Sequence, residues 1–147
     1  MSDEHVETVI HGIEPIALII RAEYDEPGIH FFTPANFSQQ VAAMTRPKGH
    51  KIIAHVHNLL VRQVLYTQEV LVIKRGKVKV KLYSSSHEFI DEKILESGDV
   101  ILLCGGGHSL EMLEKTSMIE VKQGPYAGDN DKTQFPEEWI KLFIIKS

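Results

Sequence analysis

Apolar and polar positions alternate along this chain in short runs separated by turn-forming residues. The clearest run is KVKVKLY at residues 77–83. Lys77, Lys79 and Lys81 take one face and Val78, Val80 and Leu82 the other. A period of two is that of a strand with one face in water, so the lysines read as a wetted face and not as a basic patch. Arg75-Gly76 before it marks a tight turn, and residues 65–74, β-branched and apolar in their second half, supply the hairpin partner. Further short strands are expected at residues 16–20, 89–95, 100–103, 108–113 and 117–123, with turns at 84–87 and 96–99. Residues 29–32 form a brief apolar stretch. Residues 39–45 fit helix or strand, and their place between two turns favours strand. Residues 50–57 alternate so that Ile53, His55 and His57 share one face while Ile52, Ala54 and Val56 share the other, which predicts a strand buried on both sides. Residues 58–63 read as a loop. Near the end, Pro136 and the acids after it open a short C-terminal helix, although residues 142–145 fit a strand equally well. About eight to ten short strands at hairpin spacing, with little helix, predict an all-β sandwich or barrel.

The length of 147 residues fits a single domain with a sizeable core, and 43% apolar and 24% charged residues is ordinary for a globular protein. The net charge of −4 and the absence of a basic block give no sign of a nucleic-acid partner or an anionic membrane surface. No apolar run is long enough to cross a bilayer. The acidic start MSDEHVETVI lacks the order of a signal peptide. The one cysteine, Cys104, excludes a disulfide within the chain. A cytoplasmic protein is the expectation. Cys104 itself reads as a small buried hydrophobe and not as a nucleophile.

The candidate chemistry is a metal site. A His-x-His pair on a strand, here His55 and His57, projects both imidazoles to one side within reach of one cation. Glu69 opens the next apolar run, and His108 follows a glycine triplet beyond a buried strand. Three imidazoles and one carboxylate suit a single divalent transition metal ion, whether Mn, Fe, Ni, Co, Cu or Zn. The glycines at 105–107 allow close backbone packing or unusual dihedrals.

The order of these residues and their glycines resembles the cupin superfamily. Its first motif has a glycine, five residues, His-x-His, then a glutamate, six residues and a glycine; Gly49, His55, His57, Glu69 and Gly76 fill those places. Its second motif opens with Gly-Asp and ends in histidine; Gly98, Asp99, Gly105 and His108 fill those. Two departures stand out. Eleven residues, NLLVRQVLYTQ, separate His57 from Glu69, where the motif is usually much shorter. The second motif is one residue short, with Leu103 or Cys104 in place of its usual proline. The stretch from Glu120 to Tyr126, with Asp131-Lys132, is similar to the endings of small cupins encoded with polysaccharide-assembly genes.

The resemblance covers about residues 40–123. It implies a double-stranded β-helix, or jelly-roll barrel, as the core of one domain spanning 1–147, with strands contributed by residues 6–45 and a loop and helix by 124–147. It also implies a homodimer, for which residues 6–22 offer apolar strands. Around the expected metal, Arg62 reads as a bidentate clamp for a carboxylate or phosphate or, equally, as a surface arginine. Tyr66 reads as a general acid or a rim aromatic. Gln123, sharing a face with Ile119 and Val121, is expected to point inward. The preferred function is a metal-dependent enzyme acting on a small polar molecule such as a sugar derivative, by isomerase, epimerase or lyase chemistry. The alternatives are a metal-dependent dioxygenase, a non-catalytic metal- or ligand-binding module, and a metal-free sugar-binding or epimerising barrel with histidine bases.

Overall fold

The computed structural model describes residues 3–137. Among them are ten strands and one 3-10 turn: β1 (Val6–His11), β2 (Glu14–Ile20), β3 (Gly28–Phe31), β4 (Ala42–Thr45), β5 (Glu69–Arg75), β6 (Lys77–Tyr83), β7 (Phe89–Glu96), β8 (Val100–Leu103), β9 (Gly107–Met112) and β10 (Ser117–Lys122). The predicted C-terminal helix falls largely on residues 138–147, outside the described residues. All strand pairs are antiparallel. One sheet runs β1-β2-β8-β5-β10, a second β7-β6-β9, and β3 and β4 form a hairpin that pairs with neither. No helix among the described residues is long and apolar enough to cross a membrane.

The two larger sheets share one core. Residues directly opposite on paired strands lie on the same face. Ala17 and Ile19 stand opposite Leu103 and Ile101, which stand opposite Glu69 and Leu71. In the other sheet Val78, Val80 and Leu82 face inward, and Leu95 pairs with Val78. These apolar side chains form a single buried cluster. The lysines alternating with Val78 and Val80 lie outward and reach Glu96, Glu92, Glu111 and Glu137, as the period of two requires.

Two glycines fix the connections that matter for the site. Gly76, between β5 and β6, has φ of 100°, and a Cβ there would lie 2.5 Å from Lys115 O. Gly98, ahead of β8, has φ of 88° and lies against Ala22. Asp99 beside it is buried. Its carboxylate accepts from the Ala22 and Glu96 amides at 2.9 and 2.8 Å and from Arg21 Nη1 at 3.1 Å. Arg21 also binds Glu7 and donates to Ile94 O, while Lys93 donates to Glu7 at 3.0 Å. Because Glu7 lies on β1 and Lys93 on β7, this network joins the two sheets along that side.

The sheets do not close into a barrel. Residues 50–57, expected as a buried strand, form none; every residue from 46 to 67 is exposed, and residues 51–67 make no backbone-to-backbone hydrogen bond among the described residues. An alternating pattern shows that a segment is compatible with a strand, but a strand exists only where a neighbouring edge accepts its hydrogen bonds. Among the described residues no strand pairs with the outer edge of β9 or of β10.

Candidate metal centre

Glu69 is the first residue of β5 and stands on its inner face, in line with the buried Leu71 and Ile73. His108 stands opposite the buried Leu82, hence on the inner face of β9. The two strands belong to different sheets, and their side chains meet across the sandwich, with His108 Nε2 3.5 Å from Glu69 Oε2. Both are partly shielded from water. The His108 imidazole holds the Glu69 carboxyl below its ordinary range against the opposing effect of burial, and Glu120 and Lys122 add to the lowering.

The start of β5 is pinned by side chains. The buried Gln68 accepts from Ser38 Oγ and the Gln39 amide at 3.4 and 3.3 Å and donates to Cys104 O at 3.4 Å. The Gln68 amide donates to Gln123 Oε1, and Gln123 Nε2 donates to Ser38 Oγ at 3.0 Å. Gln123 therefore positions the strand that carries Glu69; it does not line an interior. The expected inward face of β10 is reversed. Met118 packs on the core, Glu120 and Lys122 stand opposite Leu71 and Glu69, and Ile119 and Val121 are exposed on the outer face. The cause is a register shift between Ser117 and Met118. Both faces of β10 carry apolar residues, so alternation alone did not reveal that Glu120 and Lys122 lie beside Glu69.

His55 and His57 lie in the exposed segment. Their rings meet edge to face with centroids 5.3 Å apart, and His55 Nδ1 is 2.8 Å from Ile53 O. The structure thus gathers the four predicted ligands into two pairs, His55 with His57 and Glu69 with His108. Among the described residues no group of three or more His, Cys, Asp or Glu side chains is placed to hold a metal. The Glu69–His108 pair has the nitrogen and oxygen donors such an ion takes; the tetrad is not assembled in this conformation.

Arg62 is exposed in the same segment, with no ion-pair or hydrogen-bond partner among the described residues. Tyr66 is exposed and lines, with Gln123, Lys122 and Tyr126, a shallow concavity of about 160 Å³ where the segment rejoins the sandwich. Thr67, also in that lining, donates to Asp131. Cys104, just after β8, has its thiol pKa pushed up to about 11 by burial, which disfavours the reactive thiolate at neutral pH.

No protein-family model matches the chain, and comparison with curated proteins and with solved structures finds no match either. The functional reading therefore rests on the residues themselves.

Proposed function

We propose that this chain is a metal-dependent protein of cupin type, an enzyme acting on a small polar molecule such as a sugar derivative by isomerase, epimerase or lyase chemistry. Glu69 and His108 are half of its metal site, and His55 and His57 are the other half. The observation that carries the reading is the Glu69–His108 contact across two sheets, with Glu120 and Lys122 on the same inner surface. A carboxylate and an imidazole converging at the mouth of an apolar sandwich are uncommon as packing, since partly buried polar groups need partners with a purpose or a compensating bond. The arrangement becomes a jelly roll once residues 50–57 join an open edge. The ion would supply Lewis acidity toward a carbonyl or enediol oxygen. The chain's own groups would bind and orient the substrate, with Tyr66 and Arg62 reaching it from the segment that carries the histidines.

Metal analysis of untagged protein tests this. About one tightly held divalent ion per chain is expected, lost in Glu69→Gln and His108→Ala. Wild-type protein that holds no ion after incubation with Mn, Fe, Co, Ni, Cu and Zn sinks the reading. Bound iron with oxygen consumption redirects it to a dioxygenase. The same contact also supports a metal-free reading, in which Glu69 orients His108 as a base. Activity that survives complete metal removal and fails in Glu69→Gln would establish that one.

A further inference from the structure

The segment carrying His55 and His57 and the outer edge of β9 are complementary, and both are open in the same chain. Residues 51–67 make no backbone-to-backbone hydrogen bond among the described residues and expose Ile52, Ile53, Val56, Leu59, Leu60 and Val61. Opposite requirements meet at β9. Its inner-face residues Leu110 and Met112 remain 36% and 46% exposed, although their cross-strand partners Val80 and Val78 are at 0%. Among the described residues nothing covers the core at that edge, and none pairs with the outer donors and acceptors of the β9 backbone.

We propose that residues 50–57 of one chain dock as an edge strand on β9 of a second copy, antiparallel to it, so that the partner's His55 and the partner's His57 join Glu69 and His108. The composite site rests on the metal reading above. The direction follows from the residues. His55 and His57 end their segment and His108 begins β9, so only antiparallel pairing brings them together. Pairing by face then sets Ile53, His55 and His57 beside Leu110 and His108 on the core side.

Charge supports the same docking. Residues 46–67 contain Arg46, Lys48, Lys51 and Arg62 and no Asp or Glu, so the rest of the chain holds twelve basic and twenty acidic residues, a net charge of −8. The cationic segment is drawn to that acidic body. A second copy is the occupant because the chain's own arm, exposed from residue 46 to 67, does not lie on its own β9, which pairs with β6 alone among the described residues. In a two-fold pair each arm fills the other chain's slot, and neither β9 edge is left open.

Mixing two inactive variants reads out the exchange. His55→Ala/His57→Ala lacks the arm ligands, and Glu69→Gln/His108→Ala lacks the body ligands. Each alone is expected to bind no Zn²⁺. Unfolded together and refolded at equal amounts, half the dimers are mixed, and each mixed dimer holds one intact site. The mixture then recovers about a quarter of the wild-type Zn²⁺ stoichiometry. Zinc bound by wild type with no recovery in the mixture means the arm folds onto its own chain, and overturns the exchange while leaving the metal reading standing. A covalent link decides the docking without any metal. Ala54→Cys/Ser109→Cys in a Cys104→Ser background, treated with a short bis-maleimide, is expected to run as a dimer of twice the 16.6 kDa chain on a denaturing gel. An intrachain link, or no link, overturns the proposal. A wild type that binds no zinc but gives the dimeric link removes the composite metal site and upholds the exchanged arm.

Discussion

β1 and β7 lie at one side of the sandwich, β10 and β9 at the other, and the two sides are held by different chemistry. On the β1/β7 side, Arg21 and Lys93 converge on Glu7, and Arg21 continues to the buried Asp99. Each charge there has an opposite charge or a backbone amide within bonding distance. On the β9/β10 side, Glu69 and His108 touch across the sheets, apolar inner-face residues are half exposed, and no described strand seals the edge. One side is finished within a single chain. The other carries a carboxylate and an imidazole in contact and an edge that no described strand covers. Function in a small β-sandwich belongs where the structure is unfinished, because a fully paired edge has nothing left to bind with.

The largest effect that tests this contrast is in the core. Ile101→Ala, at a fully buried position between β2 and β5, should cost about 2–5 kcal/mol of unfolding free energy. Val61→Ala, fully exposed in the arm, should stay within about 0.5 kcal/mol in dilute solution. Urea denaturation of both variants checks the pair. A Val61 effect that grows with protein concentration would show the arm being buried by association.

Next comes the finished side. Asp99→Ala removes the acceptor of two backbone amides and of Arg21, and should cost about 2–3 kcal/mol. Metal stoichiometry at Glu69 and His108 should be unchanged in the folded fraction. A loss of metal binding without a loss of stability would mean that the two sides are not separable.

Much of this contrast was readable in the chain, and the reason lies in which interactions are local. Strands β5 to β10 follow one another through short turns, so alternation and turn residues such as Gly76 and residues 96–99 suffice to place them. The Lys77, Lys79 and Lys81 face and the buried Val78, Val80 and Leu82 face follow from the same period. The exposed state of residues 50–57 was not readable. Their pattern suits a buried strand, but the edge that would accept it lies some fifty residues away in sequence, and the pattern cannot say in which chain. The inner position of Glu120 was hidden for a related reason, since one bulge exchanges the two faces of β10. The sequence pattern expects Glu69, His108, His55 and His57 at one ion; in the structure Glu69 meets His108 while His55 and His57 lie together in the exposed arm.

The thiols sharpen the contrast further. Cys104, with its pKa of about 11, has a thiolate fraction near pH 8 about 200-fold below that of a free cysteine. Its greater intrinsic nucleophilicity offsets roughly tenfold of that. Cys104 should therefore react with a disulfide reagent on the order of 20-fold more slowly than a cysteine placed in the arm by Ala54→Cys. Stopped-flow absorbance on both proteins measures the ratio, and equal rates would show that burial at the end of β8 is lost in solution.

The smallest expected effect is the pH dependence of the finished side. Hydrogen bonding from Arg21, then Lys93, lowers the Glu7 pKa below its ordinary value of 4.5, with burial opposing it. A carboxyl with a depressed folded-state pKa gives stability that is fully present above the unfolded value. That stability is lost as pH falls through the folded value. Glu7→Gln should therefore be less stable than wild type at pH 7, and the difference should shrink below about pH 4.5 as the wild-type carboxyl takes up its proton. The arm cannot produce this signal, because residues 46–67 hold no carboxylate. Thermal melts of the two proteins between pH 3 and pH 7 test it. A gap that stays constant across that range would mean that Glu7 holds β1 to β7 through packing and not through its charge, leaving the two sides of the sandwich less different than their ion pairs suggest.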